Sequence, residues 1–255
     1  MKQIPNLFTL LNLVFGCIAI VYTMQNGIVI HEDGTGAQWI DMPERIWMAS
    51  LFIGLAAVVD FLDGFVARLF KATSELGRQL DSLADVVSFG VAPGMILYQF
   101  LRLSYAQEQG ALEVPVFILA FAFVLPAAAA WRLATFNLDT TQAFSFRGVP
   151  TPAVGLLVAS FPLIYWNVTD VWVRDYFLLN KWVLLLTIVV LSWLMVSRIP
   201  ILSLKFKDYT LAGNIPKLVI LGIAIIAAIF LGWLSVPVIF LAYVLVSLLF
   251  KNQIA

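Results

Sequence analysis

The stretch DFLDGFVARLFKATSELGRQLDSLAD runs from Asp60 to Asp85 and carries four aspartates between two apolar segments. Asp60 and Asp63 fall on one helical face with Arg68, and Asp81 and Asp85 fall on one face of a following helix. The polar segment LFKATSE between them indicates a turn. The sequence therefore predicts a helical hairpin in which each helix points two carboxylates into a shared space.

Apolar residues make up most of the chain around this hairpin. Of the 255 residues, 62% are hydrophobic and 12% are charged, and the mean hydropathy is +0.97. Soluble domains contain roughly 45–50% apolar residues, so lipid must cover much of this chain. The composition predicts an all-α integral membrane protein with a single membrane domain, 1–255. The formal net charge of +0 does not favour a nucleic-acid partner.

Eight apolar segments predict a polytopic bundle of about eight transmembrane helices. The last two are separated only by LSVP, which indicates a tight helical hairpin; counted as one segment, they would give seven spans. The N-terminal segment lacks a small-x-small cleavage pattern, so we expect it to be a retained helix. The predicted spans are 7–24, 46–67, 80–101, 114–135, 150–167, 180–197, 217–233 and 235–250.

The distribution of basic residues predicts the orientation of these spans. With eight spans, most of the 15 Lys and Arg residues fall on the side that also holds both termini and the aspartate hairpin. The positive-inside rule makes that side cytoplasmic. We therefore expect a multi-pass protein of the cell (inner) membrane with a cytoplasmic active site. His31, the single histidine, lies in the first external loop, where we expect it to be solvated.

Cys17 is the only cysteine, and it lies in an apolar run of the first predicted helix. It cannot form a disulfide within the chain. We expect it to be a small side chain packed against its neighbours.

Four carboxylates in a partly desolvated space need positive charge, and Arg68 supplies one at most. Oxygen ligands in this number favour Mg²⁺ or Mn²⁺, and two such cations would balance the cluster. Metals beside an arginine suit a diphosphate substrate. Two other interpretations stay open at this point: salt bridges from the aspartates to Arg68, Lys71 and Arg78, or the ion pathway of a transporter.

The spacing also resembles the signature D-x2-D-G-x2-A-R-x8-G-x3-D-x3-D of the CDP-alcohol phosphotransferase family. Every fixed position is filled here by Asp60, Asp63, Gly64, Ala67, Arg68, Gly77, Asp81 and Asp85. The resemblance implies transfer of a substituted phosphoryl group from a CDP-linked donor to an alcohol, with release of CMP.

The same resemblance implies roles for the signature residues. Asp60, Asp63 and Asp81 would be metal ligands, with Asp85 also at the metal site. Asp85 would be the catalytic base for the acceptor hydroxyl. The residues implied to lie along the CDP moiety, with Arg68 near its phosphates and Gly77 permitting close approach, are Asp60, Gly64, Ala67, Arg68 and Gly77.

The flanking stretches IPNLFTLLNL, SLADVVSFGVAPG, WRLATFN and FRGVPTPA resemble the membrane-embedded phosphatidylserine synthases of this family over roughly residues 3–160. This resemblance implies CDP-diacylglycerol and L-serine as substrates, and a homodimer surrounded by membrane lipids. It assigns the catalytic helices to residues 1–160 and the remaining transmembrane helices to residues 161–255. The chain departs from the subfamily's RLARFN, because Thr135 replaces the second arginine.

A serine pocket needs a partner for the substrate carboxylate, and an arginine fork is well matched to it. Arg132 is the first candidate and Arg147 the second. Asn12 and Asn137 could hold the amino acid or position a neighbouring group. These residues could also have purely structural roles. Arginines at cytoplasmic helix ends often fix the membrane orientation or bind lipid headgroups, and Asn12 could hydrogen-bond to a neighbouring helix.

The sequence also bears on other acceptors and on other classes of protein. Glycerol 3-phosphate, for which Lys205 and Lys207 offer cations, and an inositol fit the signature equally well. A phospholipase D-like synthase needs paired histidine motifs, which a chain with one histidine excludes. Intramembrane prenyltransferases separate their aspartate motifs widely in sequence, unlike this hairpin. A transporter with buried carboxylates remains an alternative.

Overall fold

The structure is a computed structural model, and it describes residues 4–32, 34, 38–70, 74–107, 114–138, 146–202 and 211–250. Lys71, which could pair with the aspartates, and Lys205 and Lys207, which could bind glycerol 3-phosphate, lie outside the described residues.

Helices account for most of the described chain. A π-helical segment, Val86–Val91, joins α3 to α4 without a break, and a 3₁₀ turn, Ala120–Phe123, joins α5 to α6. The α-helices are α1 Ile4–Gln25, α2 Trp47–Leu69, α3 Glu75–Asp85, α4 Ala92–Ala106, α5 Val116–Leu119, α6 Val124–Leu138, α7 Thr151–Asn167, α8 Lys181–Val196, α9 Leu211–Leu231 and α10 Ser235–Leu249.

Within the described ranges, 5 helical stretches are long and apolar enough to cross a membrane, which supports the predicted helical membrane protein. They do not include α7 and α8, which have 17 and 16 residues. The predicted number of about eight spans therefore stays a prediction. The five stretches are Pro5–Gln25, Glu44–Leu69, Glu75–Ala106, Val116–Leu138 and Asn214–Leu249.

The last of these stretches holds two helices, α9 and α10, that pack against each other. A 3₁₀ turn, Gly232–Leu234, separates them, and α10 begins at Ser235. Gly232 has φ +53°, a backbone conformation that favours glycine. The segment therefore forms a helical hairpin, as LSVP indicates, with its turn starting slightly before that motif.

Two short antiparallel strand pairs accompany the helices, and neither is predicted from the sequence. The first joins β1, Val29–Glu32, to β2, Gln38–Asp41, within the predicted external loop. The second joins β3, Phe146–Arg147, to β4, Pro200–Ile201, with Phe146 opposite Ile201. The second pair connects segments that are far apart in sequence, so no local pattern could have revealed it.

The π-helical segment lies at the centre of the bundle, where it packs against α1, α6 and α7. Glycines permit the close approach: a Cβ added at Gly16 would clash with Ser88 Oγ, and one added at Gly155 would lie 2.9 Å from Phe89 Cβ. Ser88 and Phe89 are themselves fully buried. This packing fixes the end of α3, where Asp85 lies.

A methyl group at Gly155 should therefore destabilise the protein. Gly155→Ala brings the new Cβ within 3.0 Å of the Phe89 backbone, and such overpacking costs about 1–3 kcal/mol. We expect a lower thermal unfolding midpoint in detergent. Gly222→Ala is the matched control, because nothing lies within 4 Å of that added Cβ; equal midpoints for the two variants would contradict the packing argument.

Cys17 is exposed on α1, so the prediction of a packed side chain is wrong. The first helix is apolar around most of its circumference, so its sequence does not distinguish the packed face from the exposed one. His31 is exposed on β1, in agreement with its predicted solvated position.

Candidate active site

The four aspartates of the hairpin converge. Asp60 and Asp63 come from α2, and Asp81 and Asp85 come from α3. Carboxylate oxygens of Asp60, Asp63 and Asp81 all lie within 4.8 Å of one another. Asp60 also lies within hydrogen-bonding reach of Asp81 and Asp85. The structure thus brings together all four carboxylates that the sequence predicts to share one space.

No salt bridge reaches this cluster in the part of the chain that the structure describes. Arg78 forms its salt bridge with Glu75, at 2.7 Å, and neither this bridge nor the one elsewhere in the described chain includes a cluster aspartate. Arg68 is exposed, with Nη1 4.0 Å from where a Cβ on Gly64 would lie. Among these residues, the salt-bridge interpretation of the aspartates has no support.

The first helix hydrogen-bonds to two of the aspartates. Thr9 Oγ1 donates to Asp63 Oδ2 at 2.7 Å, and Asn12 Nδ2 donates to Asp85 Oδ1 at 3.3 Å. All four side chains are buried. The sequence shows that Thr9 and Asn12 lie three apart on one helix, but it does not show that this face meets the aspartates.

The donor set of the cluster fits a hard divalent cation. It consists only of carboxylate oxygens, which Mg²⁺ and Mn²⁺ prefer. Oδ1 of Asp81 is buried and has no hydrogen-bond partner in the described structure, as expected for an atom that is free to coordinate a cation. Asp60, Asp63 and Asp81 could hold such an ion, and Asp85 adjoins them.

A cavity of about 540 Å³ opens beside the cluster. The signature residues Gly64, Ala67 and Gly77 are in its wall. A Cβ added at Gly77 would lie 3.1 Å from both Asn6 Oδ1 and Ser74 Oγ, so only glycine leaves this part of the wall open. The full lining is Pro5, Asn6, Thr9, Asp63, Gly64, Ala67, Ser74, Glu75, Gly77, Arg78 and Asp81.

A second cavity, of about 630 Å³, gathers three arginines. Two of them, Arg132 and Arg147, are the predicted carboxylate partners; the third, Arg198, was missed because it lies far from both in sequence. Pairing of β3 with β4 brings the two distant segments together. The lining is Trp131, Arg132, Thr135, Phe136, Leu138, Arg147, Met195, Val196, Ser197 and Arg198, so residues after 160 also contribute.

Arg132 links this second cavity to the aspartate cluster. Its guanidinium is buried and interacts electrostatically with Asp85. Nη1 donates to Thr151 Oγ1 at 3.0 Å, while the buried Nε has no partner in the described residues. Arg147 is exposed. Of the two predicted arginines, Arg132 is therefore the one that interacts with the cluster, and its buried Nε donor is still available.

Two further residues of the predicted pocket region bond to the protein. Asn137 Nδ2 donates to Ser82 Oγ at 2.8 Å, which joins the end of α6 to α3 beside Asp81. Thr135, where the subfamily has arginine, lies within hydrogen-bonding distance of the backbone carbonyl oxygens of Trp131 and Arg132. The structure thus shows Asn137 tying two helices together.

Known proteins resemble this chain over much of its length. The family model described as CDP-alcohol phosphatidyltransferase matches residues 2–198. Proteins named CDP-diacylglycerol–serine O-phosphatidyltransferase are similar to this chain. The one from Helicobacter pylori strain J99 is 35% identical over 60% of this chain and 54% of its own length, so the chain spans about half of that relative.

Two other relatives with the same name are covered more fully. The Bacillus subtilis strain 168 protein is 30% identical over 78% of this chain and 89% of its own length. The Mycobacterium tuberculosis strain H37Rv protein is 29% identical over 95% of this chain and 76% of its own length. With the family model spanning the aspartate hairpin and both cavities, the chain belongs to the CDP-alcohol phosphatidyltransferase family.

Proposed function

We propose that this protein transfers the phosphatidyl group of CDP-diacylglycerol to the hydroxyl of L-serine, forming phosphatidylserine and CMP. The observation that carries the proposal is the aspartate cluster: Asp63 and Asp81 line one cavity with family-signature residues, and Asp85 interacts with Arg132 of a second cavity that holds three arginines. One cavity is suited to a nucleotide diphosphate and the other to an anionic acceptor. The names of the curated relatives support serine as that acceptor.

In this proposal the donor occupies the first cavity. Gly64, Ala67 and Gly77 leave room for the CDP moiety, and Arg68, in the last turn of α2, is assigned to the phosphates. The apolar tails of the lipid remain among the helices, so CDP-diacylglycerol enters laterally from the bilayer. The diphosphate then faces the carboxylate cluster.

The acceptor is activated by Asp85. Its buried carboxylate takes the proton from the serine hydroxyl, and the oxygen attacks the phosphorus that carries the diacylglycerol. The bond from that phosphorus to the CMP oxygen breaks as the new ester bond forms. The electron pair of the broken bond leaves with CMP. Because the serine oxygen attacks the phosphorus directly, no covalent intermediate with the protein is needed.

Asp60, Asp63 and Asp81, with Asp85 beside them, would hold one or two divalent cations in this arrangement. When bound, Mg²⁺ or Mn²⁺ would neutralise phosphate charge and stabilise the leaving CMP. The contribution of the chain is the set of oxygen donors and their positions on two rigid helices.

The serine carboxylate is assigned to the arginine cavity, with Arg132 as its main partner and Arg147 and Arg198 nearby. Asn137 supports this wall through Ser82 of α3. The cavity also favours one alternative acceptor: three arginines would suit the dianion of glycerol 3-phosphate. An inositol acceptor gains no such support from the cavity.

The membrane arrangement completes the proposal. The excess of Lys and Arg on the side of the hairpin supports cytoplasmic termini and a cytoplasmic active site. A multi-pass position in the inner membrane and a homodimer follow from the family resemblance.

The acceptor can be identified by measuring CMP release from the purified protein in detergent. CDP-diacylglycerol and Mn²⁺ would be supplied with serine, glycerol 3-phosphate or myo-inositol in separate reactions. We expect release with serine, abolished by EDTA. Release with glycerol 3-phosphate alone would keep the phosphotransferase chemistry and overturn serine. Absence of release with every acceptor, from folded protein that does not bind the donor, would favour the transporter alternative.

A further inference from the structure

Two side chains of α1 hold the two most buried aspartates of the cluster. Thr9 bonds to Asp63 at 2.7 Å, and Asn12 bonds to Asp85 at 3.3 Å. Thr9 and Asn12 are three residues apart, so they share one face of α1. That face packs against α2 and α3, the helices that carry the aspartates.

The hydroxyl of Thr9 has a single proton to donate. It also lies 3.2 Å from the Pro5 carbonyl oxygen, one turn back on α1. The contact with Asp63 is shorter, and a hydrogen bond to a carboxylate is the stronger kind. The bond therefore goes to Asp63 and limits rotation of the carboxylate that faces Asp60 and Asp81.

Asn12 is fixed beside Asp85 by a second contact. Its backbone carbonyl accepts a hydrogen bond from Ser88 Oγ at 2.9 Å, which joins α1 to the π-helical segment that follows Asp85. Gly16, one turn further along α1, allows this close approach. Oδ1 of Asn12 has no partner among the described residues, so the Asp85 carboxylate is the group that orients this amide.

We infer that Thr9 and Asn12 are positioning residues with separable tasks. Thr9 orients Asp63 as a ligand for the divalent cation, and Asn12 orients Asp85 toward the acceptor hydroxyl. The inference rests on the proposed function, and it assigns Asn12 to the base instead of to the serine pocket. Neither side chain has to touch substrate, because each acts through an aspartate.

The task of Thr9 is tested by Mn²⁺ binding without nucleotide or acceptor. Free Mn²⁺ is measured by electron paramagnetic resonance during titration of the full-length protein in detergent. Loss of a hydrogen bond behind a metal ligand weakens binding about 10- to 100-fold, so Thr9→Val should raise the dissociation constant by about tenfold or more. Thr9→Ser keeps the hydroxyl and should restore binding.

Thr23→Val is the matched control for Thr9→Val. Thr23 is buried on the same helix, and its hydroxyl bonds to the Ala19 carbonyl at 2.9 Å, away from the aspartates. The control should bind Mn²⁺ like the unsubstituted protein. Equal weakening by Thr9→Val and Thr23→Val would show a general effect on helix packing and would overturn the role of Thr9.

The task of Asn12 is tested by steady-state kinetics at saturating Mn²⁺. Asn12→Ala should lower kcat by about tenfold, because a misoriented base loses part of the 10²–10⁴-fold that acid–base catalysis supplies. The KM for serine and the affinity for Mn²⁺ should stay unchanged. Asn26→Ala is the control, since buried Asn26 bonds only to the Tyr22 carbonyl at 2.7 Å in the described structure.

The opposite kinetic pattern would overturn the role of Asn12. If Asn12→Ala raised the KM for serine and left kcat unchanged, Asn12 would contact the substrate directly. These outcomes can be told apart from failure of the proposed function itself. If the protein did not transfer to serine, the unsubstituted protein would release no CMP with serine. Mn²⁺ binding is measured independently of that activity, so the task of Thr9 is still decided.

Discussion

Asp85→Asn should abolish turnover while CDP-diacylglycerol still binds. The substitution keeps the shape of the side chain but removes the group proposed to take the proton from serine. Acid–base catalysis contributes typically 10²–10⁴-fold, so we expect kcat to fall by about a thousandfold. The measurement is CMP release with serine at saturating Mn²⁺, together with equilibrium binding of radiolabelled CDP-diacylglycerol to the same preparation.

Asp175→Asn is the matched control for this substitution. Asp175 is exposed, and it pairs with Arg174 at 3.2 Å. Its loss should leave both turnover and donor binding unchanged. Normal turnover by Asp85→Asn would refute its role as the base. Loss of donor binding in the same proportion as turnover would instead move Asp85 into the donor site.

Arg132→Ala should raise the KM for serine by about a hundredfold, which is about 2.7 kcal/mol. A hydrogen-bonded charge pair that is truncated on one side typically costs 2–5 kcal/mol or more. The KM for CDP-diacylglycerol should change far less, because the first cavity does not include Arg132. Both constants come from CMP release, measured at varied serine and then at varied donor.

The structural contribution of Arg132 is separated by two further variants. Thr151→Val removes the hydroxyl that accepts from Nη1 but keeps the guanidinium, and it should raise the KM for serine only slightly. Arg102→Ala removes an exposed arginine of α4 and should have no effect. An equal rise in the KM of donor and acceptor for Arg132→Ala would take Arg132 out of the serine pocket.

The aspartate cluster could be predicted from sequence because its geometry is local. Asp60 with Asp63, and Asp81 with Asp85, are pairs within one helix, and the polar residues between the helices predict a turn. Helical spacing then determines which side chains share a face. That the chain is a helical membrane protein could likewise be predicted, because 62% of its residues are hydrophobic.

The rest of the site depends on contacts between distant segments. Arg198 reaches the second cavity because β4 pairs with β3, and no feature near Arg198 indicates that pairing. The bonds from Thr9 and Asn12 to the aspartates depend on how α1 is rotated against α2 and α3. An apolar helix such as α1 carries little information about that rotation, and the exposure of Cys17 was mispredicted for the same reason.

The pairing of Phe146–Arg147 with Pro200–Ile201 has a consequence for biogenesis. The aspartate cluster draws only on α1, α2 and α3, which leave the ribosome early. The arginine cavity cannot close until residue 201 has been synthesised, because one of its walls is held by that strand pair. During synthesis the nascent chain therefore carries the aspartates in the bilayer before the arginine cavity is complete, so the cavity proposed for the acceptor forms after the proposed metal site.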